Sequence, residues 1–288
     1  MQIVPAPLLV CPHDGGLLGD RGNSIVCASG HSFDRARQGY VNLLPVQDKA
    51  SRDPGDSKEM VAARRRFLET GAYAPIAQAV ADLTLDAIAA RNIERPFVIL
   101  DAGCGEGYYL QLLEAMLGAH AAPRTVHLAG IDISKWAVRA AAKRDVPVTW
   151  AVASNRRPPF PPASVDLILC LFGFPVWAGF ASVQPPQGCV MLVDPCSDHL
   201  IELREIIYPV VRRHEATVIA ASDGYRALGE RRVKASATLA SQGVIADLLA
   251  MTPHGHRASA EGRAALAERD RLSITIDVMV RVFGRDAA

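Results

Sequence analysis

The stretch Phe97-Val-Ile-Leu100-Asp101-Ala-Gly103-Cys-Gly105-Glu-Gly107-Tyr-Tyr109 decides the reading of this chain. A short apolar run ends on a carboxylate, three glycines follow at alternate positions, and residues 107–118 continue with helical spacing. A strand that enters a glycine turn and leaves as a helix offers a ligand close backbone approach and the unpaired N–H groups of a helix start. The next apolar run, 126–133, carries a second acid, Asp132, near its end. A carboxylate there can accept both hydroxyls of a ribose. The glycine spacing is not the G-x-G-x-x-G of a dinucleotide turn. Two acids beside the turn suit an adenosine with a cationic amino-acid tail better than a pyrophosphate. S-adenosylmethionine (SAM) is such a ligand, and Asp101, Gly103, Gly105, Gly107 and Asp132 are its candidate contacts. Nucleotide binding and a purely structural turn are the other readings of the stretch.

Outward from this turn, strand and helix patterns alternate. A helix is expected over 134–144, a strand over 148–153, and a strand over 165–174, which is apolar enough to be buried on both faces. A fifth strand is expected at 189–193 and a helix at 198–214. Residues 232–239 and 272–282 alternate, with a helix at 241–251 between them; Ser273, Thr275, Asp277 and Met279 share one face, and Ile274, Ile276, Val278 and Val280 the other. Strands separated by helices imply an α/β fold with a mostly parallel, doubly wound sheet, and the final pair an antiparallel edge. Upstream, Met60, Phe67, Leu68, Ile76, Val80, Leu83 and Ile88 have helical spacing, interrupted at Gly71 and Pro75. Residues 46–58 are polar and contain Pro54-Gly55, as a linker or binding loop does. Turn formers and short apolar pieces make 1–45 a small β-rich module. Three divisions follow: 1–45, 46–95 and 96–288.

Length and composition agree. The 288 residues suggest about two domains. Half the chain is hydrophobic and 21% is charged, which excludes wholesale disorder. No apolar run reaches the roughly 18 residues of a membrane-spanning helix. The start, MQIVPAPLLVC, lacks the cationic and long apolar regions of a signal peptide, so a cytoplasmic location is expected. With 31 Lys and Arg against 30 Asp and Glu, net charge gives no argument for nucleic acid. Its distribution says more: Lys135, Arg139, Lys143, Arg144, Arg156 and Arg157 accompany a single acid, Asp145, and Arg64, Arg65 and Arg66 are adjacent. Either group can meet phosphates or form a solvated helix face. Cys104, Cys170, Cys189 and Cys196 lie in or beside apolar segments and are expected as buried free thiols.

Near the start, Cys11-Pro-His13-Asp14 and Cys27-x-x-x-His31 have the rhythm of a zinc knuckle. Asp14 or His13 would complete a set with Cys11, Cys27 and His31; apolar packing without metal is the remaining reading. Four protein ligands would close the site and make zinc structural.

D-A-G-C-G-E-G followed by I-D-I-S resembles the Rossmann-like class I SAM-dependent methyltransferases. The flanks resemble one family of them, RlmA: Gly30-His31-Ser-Phe33-Asp34, Gln38-Gly-Tyr-Val-Asn-Leu-Leu44, Asp53-Pro-Gly-Asp-Ser57, Met60-Val-Ala-Ala-Arg64-Arg65, Phe67-Leu-Glu-Thr-Gly71-Ala-Tyr73 and Asp132-Ile133-Ser134-Lys135. The resemblance covers most of 8–205. It implies a mostly parallel seven-stranded sheet with an antiparallel edge, and a zinc-ribbon-like RNA-recognition module over 1–45. It implies SAM-dependent methylation of guanine N1 in a hairpin of 23S rRNA by a homodimer. It also implies structural zinc on Cys11, Asp14, Cys27 and His31, and SAM contacts at Tyr73, Tyr109, Leu110, Ile133 and His199. The chain departs from the family pattern twice. Asp14 stands where the family has cysteine, and Gly173-Phe174-Pro175 replaces a segment ending in Ala-Pro. Small-molecule methylation and non-catalytic RNA binding are the alternatives these departures keep open. No residue is assigned as catalytic; Asp194, at the end of the fifth strand, is the nearest carboxylate.

Overall fold

The computed structural model describes residues 1–48, 51, 53–91, 93–120, 124–211 and 224–286. In chain order the elements are β1 (Gln2–Pro5), β2 (Gly19–Arg21), β3 (Ser24–Val26), β4 (Ser32–Asp34), β5 (Val41–Asn42), α1 (Lys58–Leu68), α2 (Ala74–Ala89), β6 (Phe97–Ala102), α3 (Tyr108–Gly118), β7 (Thr125–Asp132), α4 (Lys135–Ala141), β8 (Val148–Val152), β9 (Leu167–Leu171), α5 (Trp177–Val183), β10 (Cys189–Pro195), α6 (Ile201–Ile207), β11 (Tyr225–Leu239), α7 (Gln242–Met251), α8 (His254–Arg257), α9 (Ala260–Ala267) and β12 (Leu272–Arg285).

The large sheet runs β11-β12-β10-β9-β6-β7-β8-β5, with β1 also on β7. β12 is antiparallel to both its neighbours, and the other pairs are parallel. The seven strands from β6 onward are the sheet expected from the sequence. Two more come from the N-terminal segment: Gln2 pairs with Thr125, and Val41 with Ala151. β2, β3 and β4 form a separate antiparallel sheet.

Alternation along buried strands builds one core on each face. Leu167, Leu169, Leu171, Met191 and Val193 join α2, α3 and α6 in one cluster; Ile168, Cys170, Val190 and Leu192 join Phe160, Phe180 and Phe283 in the other. Each such side chain contributes about 1.5–3 kcal/mol on burial. The carboxyl ends of β6, β7, β9 and β10 gather along one edge, where ligands bind in open α/β sheets.

Four local expectations differ from the structure. The fourth strand ends at Leu171, because Phe172 turns to φ 55°. The helix expected over 198–214 ends at Ile207: Tyr208 precedes Pro209, which disfavours helical geometry before it. Residues 212–214 of that expectation lie outside the described residues, as do 49, 50 and 52 of the 46–58 segment. β11 begins at Tyr225, earlier than expected, because pairing with β12 extends it through 226–232, which are exposed and carry no apolar alternation to show it in the sequence. Asp277, on the expected polar face, is fully buried and is held by the Arg232 guanidinium at 2.7 and 2.8 Å. No described helix is long and apolar enough to cross a membrane.

Candidate active site and metal centre

The glycine turn joins β6 to α3. The Gly103 and Cys104 N–H groups both donate to Ile131 O, at 2.8 and 2.9 Å, which fixes the turn against β7. Gly107 takes φ 83° as the residue before α3, and a Cβ there would lie 2.9 Å from the Trp150 ring. Only glycine meets both conditions. Asp132 binds the turn from the other side, its Oδ2 accepting from Gly105 N–H at 3.0 Å and its Oδ1 from Ser134 N–H at 2.8 Å.

Glu106 is 2% exposed, and the sequence offered no role for it. Arg144, 38 positions later, is also buried; its Nη2 donates to Glu106 Oε1 at 3.1 Å and its Nε to Glu106 O at 2.6 Å. Burial pushes the Glu106 carboxyl up and the guanidinium opposes this. The pair anchors the middle of the turn.

Two buried polar atoms among the described residues lack a hydrogen-bond partner: Asp101 Oδ1 and Tyr109 Oη. Buried polar groups are almost always satisfied, so a pair of orphans beside one turn marks a place for a polar ligand. Burial, then the Asp132 and Glu106 charges, push the Asp101 carboxyl up to about 8. A Cβ on Gly103 would meet nothing within 4 Å, so the turn opens onto free space. This donor and acceptor set fits SAM: acceptors for an ammonium and a ribose, an open glycine turn and a helix start. When bound, SAM supplies an electrophilic methyl on a sulfonium.

A second group gathers at the same edge. His199 Nδ1 accepts from Asp277 N–H at 3.2 Å, and His199 Nε2 lies 3.1 Å from Tyr73 Oη. Burial pushes the imidazole down to about 4, so the ring is neutral at pH 7. With Nδ1 accepting, the proton is on Nε2 and is donated to Tyr73 Oη; the Tyr73 proton is left for a further acceptor. Phe172 stacks on Tyr73 with centroids 5.9 Å apart at 24°. Leu110 is fully buried and Gly130 abuts it, the placement of a core residue. Asp194 is tied to Arg281 at 3.3 Å.

Residues 53–57 close over the β7–α4 turn. Ser134 Oγ donates to Asp56 O at 2.7 Å, Lys135 pairs with Asp53, and Arg64 with Asp56. Gly55 takes φ 82°, and a Cβ there would lie 2.9 Å from Ile133 Cγ2. The adjacent arginines are therefore engaged: Arg65 pairs with Glu69 at 2.7 Å and Arg66 with Asp247 at 2.6 Å. They form a salt-bridged surface, and Arg144 is buried. Arg139, Lys143, Arg156 and Arg157 remain exposed.

In the N-terminal module, Cys11 and Asp14 precede β2, Cys27 follows β3 and His31 precedes β4. Their ligand atoms lie within 4.8 Å of one another. Asp14 Oδ2 is 3.1 Å from His31 Nδ1 and 3.3 Å from Cys27 Sγ, and His31 Nδ1 is 3.3 Å from Cys27 Sγ and 3.5 Å from Cys11 Sγ. A tetrahedral zinc with sulfur, nitrogen and oxygen ligands has edges of about 3.3–3.8 Å, so the set is compatible with zinc. His13 stands outside it, its ring 4.9 Å from that of His31. The Gly16 N–H holds the Asp14 carboxyl well below the usual carboxylate range. All six cysteines are free and buried.

Residues 9–52 match the family "RlmA, N-terminal", and residues 99–205 match "Methyltransferase domain". The chain is 33% identical over 279 residues to YxjB of Bacillus subtilis (strain 168), covering 94% of this chain and 95% of that one. The chain belongs to the RlmA methyltransferase family. YxjB is named provisionally as a 23S rRNA (guanine-N(1)-)-methyltransferase. A Streptomyces fradiae relative named 23S rRNA (guanine(748)-N(1))-methyltransferase is 31% identical over 236 residues, 80% of each chain. A Micromonospora griseorubida relative is 38% identical over 189 residues, 62% of this chain and 60% of that one. As in the RlmA family, the fold is that of a class I methyltransferase and the enzyme is SAM-dependent.

Proposed function

We propose that this enzyme transfers the methyl group of SAM to N1 of a guanine in a 23S rRNA hairpin, in the cytoplasm. The observation that carries the SAM site is the pair of unpartnered buried atoms, Asp101 Oδ1 and Tyr109 Oη, at an open glycine turn, and the names of the relatives support guanine N1 of 23S rRNA as the acceptor. In this reading Asp101 holds the ammonium of SAM and Asp132 its ribose. Gly103, Gly105 and Gly107 supply backbone, Ile133 lies against the adenosine, and Tyr73, Tyr109 and His199 surround the amino-acid tail, while Leu110 supports the start of α3 from the core. Residues 96–288 are then the SAM-binding domain, joined through 46–95 to an RNA-recognition module over 1–45. Structural zinc on Cys11, Asp14, Cys27 and His31 would fix that module.

Methyl transfer from a sulfonium needs chiefly in-line positioning, and rigid placement of both partners can supply much of the barrier reduction. The chain's own work is orientation. Glu106 and Arg144 hold the glycine turn, and Asp277 sets the His199 tautomer that directs the Tyr73 hydroxyl. The target base must leave its stack to reach this edge. Exposed Arg37, Arg139, Lys143, Arg156 and Arg157 can meet phosphates, which position without specifying, whereas Arg35 is paired with Asp20 at 2.9 Å.

The test is transfer of labelled methyl from SAM into unmodified 23S rRNA, mapped by reverse-transcription stops, because an N1-methyl blocks the Watson–Crick edge. A stop at one guanine is expected. SAM binding without incorporation into RNA would overturn the proposal. The dimer that the family resemblance implies is checked by light scattering, where the mass of a single chain would overturn it.

A further inference from the structure

Phe174 is 90% exposed, the most exposed of the large hydrophobic side chains among the described residues. A single exposed apolar residue is ordinary; its setting is not. It follows Phe172, whose φ of 55° is a left-handed conformation that costs a non-glycine residue about 1 kcal/mol or more. Phe172 is held there by its N–H bond to Val193 O at 2.9 Å and by its stack on Tyr73. The turn so made ends β9 at the carboxyl edge of the sheet, beside the candidate SAM pocket. Two contacts locate it. A Cβ on Gly173 would lie 3.9 Å from Ala102 O, the carbonyl at the entrance to the glycine turn. Asn155 Nδ2 donates to that same carbonyl at 3.2 Å.

Asn155 brings its loop with it. Gly179 of α5 lies so close to the Asn155 and Arg156 carbonyls that any side chain there would collide. Arg156 and Arg157 are exposed and form no ion pair among the described residues. Arg157 Nη1 also reaches Pro12 O at 3.4 Å, next to Cys11 of the candidate zinc set. The exposed Phe174 ring, the entrance of the glycine turn and the loop that carries Arg156 and Arg157 therefore lie at one mouth. An aromatic ring with flanking cations fits a nucleobase and its phosphates, since stacking engages the base and guanidinium the backbone.

We propose that Phe174 is the stacking face for a nucleobase of the RNA substrate at the reaction centre, with Arg156 and Arg157 taking the adjacent phosphates. The inference rests on the RNA-methyltransferase reading above. Phe174 acts here as a positioning residue.

The test compares wild type with Phe174→Ala, Phe174→Leu and Phe174→Trp on a 23S rRNA hairpin, reading KM for RNA, kcat, anisotropy of labelled hairpin and calorimetric SAM affinity. Loss of a stacked base gives about a 5- to 150-fold loss in RNA affinity. Phe174→Ala and Phe174→Leu should show it in anisotropy and KM, Phe174→Trp should restore binding to near wild type, and SAM affinity should not move. Arg156→Ala should lower the slope of log affinity against log salt by about one. Wild-type RNA binding in Phe174→Ala, or equal loss in Phe174→Trp, would overturn the inference. Failure of the broader reading looks different: wild type would then methylate no rRNA, while anisotropy would still report whether Phe174 contributes to hairpin binding.

Discussion

Asp101 offers a quantitative test of the SAM pocket through pH. Its carboxyl is 1% exposed, and burial with the neighbouring Asp132 and Glu106 charges pushes it up to about 8. Below that pH the free enzyme holds the carboxyl protonated. An ammonium bound at its unpartnered oxygen requires the carboxylate, so binding must expel the proton. The ionised fraction rises from about 0.3% at pH 5.5 to about 9% at pH 7.0, given a value of about 8 in the free enzyme. SAM affinity should therefore rise about thirty-fold over that range, or about 2 kcal/mol, with nearly one proton released per SAM bound. The same shift acts on stability with the opposite slope. The folded state keeps a proton that an unfolded Asp releases near 3.8, so this group costs the apoprotein stability as pH rises from 3.8 toward 8. Calorimetry in buffers of different ionisation enthalpy measures both affinity and proton release. Asp101→Asn provides the control, since its affinity should be flat across pH 5.5–7.0. A flat wild-type profile, or the same slope in Asp101→Asn, would refute the assignment.

Other consequences are as direct. Arg144→Met leaves the buried Glu106 carboxylate without its cation and should cost about 3–5 kcal/mol by urea unfolding; adding Glu106→Gln should recover part of it. Asp14→Ala should release zinc at least about tenfold more readily than wild type in competition with a chromophoric chelator, whereas Asp14→Cys should hold it more tightly, because a soft thiolate replaces oxygen. Gly55→Ala puts a Cβ 2.8 Å from Ser134 Cβ at a φ of 82°. The 53–57 loop should then lift, raising proteolysis near it and weakening SAM binding by about five- to tenfold, the equivalent of about 1 kcal/mol of strain or more. Unchanged SAM affinity in Gly55→Ala would separate that loop from the pocket.

Local and periodic features were legible in the amino-acid order. The apolar run before Asp101, the three glycines and the alternation of strand and helix specify the parallel sheet and its ligand turn, because 2-residue and 3.6-residue periods and glycine backbone freedom are written in adjacent residues. The RlmA-type motifs, including the rhythm of Cys11, Cys27 and His31, were equally legible. Tertiary structure decided the rest, through contacts that no local period encodes. The N-terminal segment lends β1 and β5 to the large sheet, which only strand pairing over more than a hundred residues establishes. Arg144 reads as a solvent cation in a basic stretch, and the fold instead buries it on Glu106. The adjacent arginines at 64–66 look available for phosphate until Asp56, Glu69 and Asp247 arrive from elsewhere. The choice between His13 and Asp14 was left open by spacing, and backbone direction turned the Asp14 carboxylate toward Cys27 and His31. Spacing reveals which residues can share an element; which charges meet is fixed by distances across elements, and burial then sets what those charges are worth.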